Sequence, residues 1–295
     1  MENSTKGHLL ALFTVGVWGT TFISTKVLLG RFQAVEIMLF RFIIGYIVLF
    51  LMRPGFLKPV KRRQEGIFAL AGACGVTLYF LFENFALTYT YASNVSVIIS
   101  AAPLFTALLA SFLLKGEGFR KNFFVGFALA MLGICIISFN GSSLHLNPLG
   151  DILAVLGACT WAFYSILLAK LGKYGYNKIL MSKRIFFYGI LFMIPASAGF
   201  GVKLDFSMLN EPYIIGNFLF LGVVASALCY VTWNRSVDIL GPVKTSVYIY
   251  LQPVITVIAS IIVLRENITP LAFAGMGFTL LGLVISQLNF KKKAA

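Results

Sequence analysis

Ten runs of about 18 or more mostly apolar residues follow one another so closely that the connections leave no room for a soluble domain. They lie near 8–29, 34–52, 66–87, 91–114, 121–140, 150–170, 179–200, 212–233, 243–264 and 270–290. A run of that length crosses roughly 30 Å of hydrocarbon as a helix rising about 1.5 Å per residue. At 59% hydrophobic and only 12% charged residues, the chain holds more apolar surface than a soluble core of 295 residues could hide. The expected fold is all-α, a polytopic membrane protein of ten transmembrane helices. The first run follows a short polar lead with one lysine and precedes no A-x-A-like cleavage site, so it reads as a retained helix and not a signal peptide.

The formal net charge of +14 does not point to nucleic acid, because a basic binding face gathers its cations on one folded surface. Here they sort by loop. With the N-terminus placed in the cytoplasm, 19 of the 24 Lys and Arg fall on the cytoplasmic side, and only Lys26, Arg31, Lys203 and Arg265 fall opposite, with Arg41 inside a span. The positive-inside rule then puts both termini in the cytoplasm. Cys74, Cys135, Cys159 and Cys229 all sit inside spans without CxxC or Cys/His ligand spacing, so neither a disulfide framework nor a zinc site is implied.

The chain also repeats itself. Shifting Asn84–Glu117 forward by 150 positions puts Asn84 on Asn234, Ser96 on Ser246, Pro103 on Pro253 and Thr106 on Thr256. After a one-residue slip the echo continues with Gly126 on Gly275, Ala130 on Thr279 and Gly133 on Gly282. Five spans per half is an odd number, so the second half enters the membrane in the opposite sense. The expected plan is an inverted 5+5 repeat of units 1–146 and 147–295, with the boundary in the polar stretch Asn140–Pro148. Such repeats are frequent in secondary transporters, with substrate held at mid-membrane where the two meet.

Several polar residues sit where lipid would favour Leu or Ile. Trp18 in the first span and its twin Trp161 in the sixth are candidate cavity residues, with close helix packing as the plainer alternative. Arg41 and Arg184 occupy corresponding places in the second and seventh spans, at about 2.5–3.5 kcal/mol each on insertion scales. They read either as interface anchors or as substrate contacts, and Glu83 stands at a depth suited to pair with Arg41. Glu83 is the one acid well inside an apolar run, and hydrocarbon disfavours its anion, so it is a candidate proton carrier or a fixed partner of Arg41. Asn84 and Asn234 need a partner helix, water or substrate for their amides. Pro103 and Pro253, each midway through its span, are expected to kink their helices, free the carbonyls of Ile99 and Ile249, and act as paired hinges. The ninth span adds Tyr248, Tyr250 and Gln252 where its twin has Ile98, Ser100 and Ala102, so the polar, aromatic share of a common cavity should come mainly from the second half. The glycines of spans five and ten form a small-residue packing seam.

With these features in hand the chain resembles the ten-span EamA family of the drug/metabolite transporter superfamily, in its bacterial form. The matching residues are Trp18-Gly19-Thr20-Thr21-Phe22, Arg41 after the Phe of LFRF, Glu83-Asn84-Phe85-Ala86-Leu87, Pro103 with Pro253, and the helix-end acids Glu117 and Glu266. Glu266 comes one residue earlier than its twin, which loosens that last equivalence. The resemblance implies a basket-like 5+5 fold in a bacterial inner membrane, with a central cavity from spans 1–4 and 6–9 and spans 5 and 10 to the side. It implies export or exchange of a small metabolite such as an amino acid. Some relatives in the superfamily carry sugar phosphates or nucleotide sugars.

The resulting expectation is a secondary transporter working by alternating access, as a monomer or homodimer. Its partners are the lipid bilayer, a small-molecule substrate and, as a candidate coupling ion, the proton; no nucleic acid and no cofactor are implied. Substrate would lie among Trp18, Arg41, Glu83, Asn84, Asn94, Ser96, Trp161, Tyr164, Asn234, Ser246, Tyr248 and Tyr250. Nothing resembles a P-loop. An intramembrane enzyme would want paired carboxylates, a His-rich cluster or a metal motif at depth, whereas His8 and His145 lie at span ends. A channel is the remaining alternative, and saturable counterflow would separate it from a carrier.

Overall fold

The computed structural model describes residues 2–58, 61–89, 95, 98–114, 121–138, 147–200, 202, 211–264 and 270–287. Asn94, Ser96, Glu117, His145 and Glu266 lie outside them. Among the described residues the regular structure is helical throughout. In chain order it comprises α1 (Glu2–Leu29), α2 (Ala34–Met52), α3 (Arg62–Tyr89), α4 (Ala102–Leu113), α5 (Lys121–Ser138), α6 (Pro148–Gly172), α7 (Lys178–Gly199) and α8 (Pro212–Leu240). There follow α9, in three pieces (Pro242–Ser246, the 3₁₀ turn Val247–Tyr250 and Leu251–Leu264), and α10 (Pro270–Gln287). Among the described residues, six helices are long and apolar enough to cross a bilayer: α2, α3, α6, α7, α8 and, over Ser4–Leu29, α1. The other apolar helices, within α4, α5 and α10, are shorter in their described parts.

Local chemistry sets the ends. The Glu36 carboxylate accepts the Gln33 backbone N–H at 2.7 Å and closes the first turn of α2. Asn147 caps α6 by accepting from the Gly150 N–H, ahead of Pro148, whose missing N–H is harmless at that position. Asn177 does the same for α7 through Ile179 and Leu180. Gly241, at φ 84°, takes the left-handed conformation that ends α8 before Pro242.

Two helices are not plain α. A π-helical stretch interrupts α3 at Ala73–Leu78 and α8 at Phe220–Leu228, overlapping positions in the sequence echo. The expected proline breaks take different forms. Pro103 stands in the first turn of α4 and so starts a helix rather than bending one, while the chain winds into a 3₁₀ turn just before Pro253.

Helix pairing follows a crossed pattern. α1 packs on α8 and α9, and α6 packs on α3 and α4; α2 packs on α8, and α7 packs on α3; α5 packs on α10. In the last pair the small residues meet in reverse order. A β-carbon on Gly133 would stand 2.4 Å from the Gly275 carbonyl oxygen, and one on Gly126 would stand 2.6 Å from that of Gly282. Only glycine lets the two backbones approach this closely.

Candidate functional site

The centre of the bundle is aromatic. Trp18 of α1 meets Trp161 of α6 edge-on and Trp233 of α8 at a tilt, both with ring centroids 5.1 Å apart, and Tyr79 of α3 lies 4.9 Å from Trp161. Beside this cluster is a small cavity, ≈ 20 Å³, lined by Trp18, Thr21 and Phe22 from α1, Arg41 from α2, and Tyr79, Phe80 and Glu83 from α3. Ile99, Trp161, Ile249 and Gln252 complete its wall. Ile99 and Ile249 are the residues whose carbonyls the two prolines were expected to free. Such a cavity has room for about one water.

Arg41 is buried at 3% exposure. Its Nε donates to Ser226 Oγ of α8 at 3.0 Å, and its guanidinium carbon lies 4.3 Å above the centre of the Phe80 ring. Hydrogen bonding and stacking both offset the removal of the cation from water. Glu83 lines the same cavity without closing to ion-pair distance, so a direct Arg41–Glu83 salt bridge is not what holds the arginine. Tyr79, one turn earlier on α3, lines the cavity beside Glu83. The Glu83 oxygen Oε2 is buried and has no partner among the described residues, and the same holds for Trp161 Nε1.

Of the residues named from the sequence, Trp18, Arg41, Glu83 and Trp161 come together around the cavity. The other described ones are engaged elsewhere. Asn84 donates to the Ala34 carbonyl at the start of α2. Tyr164 donates to Asn234 Oδ1, and Asn234 Nδ2 to Ser182 Oγ, in a fully buried chain. Ser246 bonds within its own turn to the Val243 carbonyl. Tyr248 Oη meets His8 Nδ1 at 2.6 Å, and Tyr250 packs beside Phe127 towards α5. Arg184 pairs with Glu65 Oε1 at 2.9 Å.

The residues missed were Tyr79, Phe80, Ser226 and Tyr230. One signal was present: Tyr230 stands where the first half has Phe80, a hydroxyl added to one copy of the repeat. Its Oη donates at 2.5 Å to the Gly75 carbonyl in the π-helical stretch of α3. Across the bundle, Trp18 Nε1 donates at 2.9 Å to the Ala225 carbonyl in the π-helical stretch of α8. π-Helical winding leaves carbonyls off the regular ladder, and here side chains from another helix take them.

Several apolar helices of spanning length packed around a buried charged and aromatic cavity mark a multi-pass membrane protein. The sequence profile of the EamA-like transporter family matches residues 5–139 and 148–288, and the chain belongs to that family. It is 28% identical over 272 residues to an uncharacterized transporter of Archaeoglobus fulgidus, covering 90% of this chain and 91% of the relative. It is also 26% identical to an uncharacterized transporter of Clostridium kluyveri, over 97% of this chain and 94% of the relative. The Bacillus subtilis uncharacterized transporter YvbV is 27% identical over 98% and 93%. A crystal structure at 15% sequence identity superposes with a TM-score of 0.80 over 96% of each chain, which establishes the fold.

Proposed function

We propose that this chain is a secondary active transporter, an exporter or exchanger, that moves a small metabolite such as an amino acid by alternating access. The observation that carries the reading is the central cavity itself. It draws Trp18, Arg41 and Glu83 from the first half of the chain and Trp161, Ile249 and Gln252 from the second, at their meeting place. At ≈ 20 Å³ it is too small for a metabolite, which fits only if the halves part.

Ten spans in an inverted 5+5 arrangement, with units 1–146 and 147–295, belong to the same proposal. The crossed pairing supports it: α1 on α8 answers α6 on α3, and α2 on α8 answers α7 on α3. So does the reversed meeting of Gly126 with Gly282 and of Gly133 with Gly275, as an approximate twofold axis between α5 and α10 requires. Pro103 and Pro253 are proposed as the hinges, since the chain changes its winding beside each. The sorting of 19 basic residues to one side supports an inner-membrane location with both termini in the cytoplasm.

The test is counterflow in proteoliposomes preloaded with each of a panel of amino acids. The expected result is saturable exchange of label against at least one of them, with the substrate recovered chemically unchanged. Uptake proportional to concentration would indicate a pore, and a covalently altered product would indicate an enzyme.

A further inference from the structure

The two halves of the aromatic centre are related by the repeat, but they do not use their tryptophans alike. Trp18 and Trp161 are twins, and so are Ala225 and Gly75. Trp18 spends its indole N–H on the Ala225 carbonyl. The mirrored bond would run from Trp161 Nε1 to the Gly75 carbonyl, but Tyr230 Oη already donates there. In the first half the position of Tyr230 is Phe80, which has no hydroxyl to compete. Trp161 Nε1 is left buried and without a partner among the described residues, in a side chain that lines the cavity. Trp233 Nε1 shares that lack, yet Trp233 is not among the residues lining the cavity. Glu83, which lines the same cavity, likewise has a buried atom, Oε2, without a described partner.

We propose that Tyr230 is a positioning residue that breaks the twofold symmetry of the site, and that Trp161 Nε1–H and Glu83 Oε2 together select the substrate. The proposal rests on the transporter reading above. The indole N–H donates and the ionised carboxylate accepts, beside a space with room for about one water-sized polar group. The group that satisfies both at once is one that accepts and donates, a primary amide or a hydroxyl. A group that can only accept leaves Glu83 unsatisfied, and one that can only donate leaves the indole unsatisfied. Either omission strands a buried polar atom, which is how sites of this kind reject analogues.

The chain holds three tryptophans, so the full-length protein labelled with ¹⁵N-indole in lipid nanodiscs should give three indole N–H resonances, assigned with Trp18→Phe and Trp233→Phe. The probes are acetamide, which accepts and donates, N,N-dimethylacetamide, which only accepts, and methylammonium, which only donates. Acetamide is expected to shift the Trp161 resonance and to bind at least about tenfold tighter than either other probe, the factor that corresponds to one good polar contact. In Tyr230→Phe the Trp161 resonance moves towards that of Trp18 before any probe is added, and the preference for acetamide falls to about twofold or less. Tyr230→Phe adds nothing further in a Trp161→Phe background, because its effect passes through that indole. If Tyr230→Phe fails to fold, Trp161→Phe alone must abolish the preference.

Equal binding of the three probes would overturn the proposal, as would an acetamide shift confined to Trp18 or Trp233. Counterflow without probe selectivity would sink this inference and leave the transporter reading standing. Selectivity without counterflow would do the reverse.

Discussion

Arg41 Nε and Ser226 Oγ meet at 3.0 Å inside the bundle, joining α2 to the π-helical stretch of α8 with no exposed face. The serine is the acceptor that this N–H uses. Ser226→Ala is therefore expected to destabilise the protein by about 1.5–3 kcal/mol, the range for a hydrogen bond to a charged group. Thermal unfolding in detergent measures it. Ser226→Thr should recover most of the loss, and an unchanged midpoint in Ser226→Ala would show that Arg41 is held by its stacking on Phe80 alone.

Glu83 is the acid of the cavity, and the exchange reading separates its charge from its shape. Glu83→Gln keeps the volume and removes the titration. If Glu83 carries the coupling proton, the variant continues substrate exchange in proteoliposomes, while net transport loses its dependence on an imposed pH gradient. A pH dependence equal to that of the parent protein would end the coupling proposal without touching the transporter reading.

The seam between α5 and α10 makes a sharp prediction about one methyl group. Gly133→Ala places a β-carbon against the backbone of Gly275, where no side chain can swing aside, and is expected to cost about 1–3 kcal/mol. Gly277→Ala, two residues further along α10 and so on another face, meets nothing within 4 Å and gains helix propensity of up to about 1 kcal/mol. Melting temperatures of the two variants should move in opposite directions.

Arg184 and Glu65 form an ion pair whose side chains stay 24% and 28% exposed. Partly hydrated pairs contribute little, so a double-mutant cycle of Arg184→Met and Glu65→Gln should give a coupling of no more than about 1 kcal/mol. Denaturation midpoints of the four proteins supply the cycle. A coupling of several kcal/mol would mean that this pair is sealed from water.

Much of the site was legible in the echo between halves because hydrocarbon makes polar residues conspicuous. Trp18, Arg41, Glu83 and Trp161 stood out for that reason, and all four line the cavity. Tyr164, Asn234 and Tyr248 stood out equally, yet they bond to partners on other helices. An apolar sequence in lipid has no polar face to report its rotation, since both the lipid side and the core side are hydrophobic. Membership of the cavity was therefore open at each of these positions. Pro103 illustrates a related limit: the residue marks a break, but whether it bends a helix or begins one depends on what packs beside it.

By itself the sequence determined that the chain is helical, that it is apolar enough to lie in a membrane, and that residues of its second half echo those of the first. Each of these follows from run length, composition and spacing, which are properties of the chain read in line. The tertiary structure alone decided which polar atoms are satisfied. Whether Tyr230 or Trp161 takes the Gly75 carbonyl depends on how α3, α6 and α8 cross, and that crossing leaves an indole N–H and a carboxylate oxygen of two cavity-lining residues without a described partner. Hydrogen bonds are short and directional, so their assignment needs the positions of helices far apart in sequence.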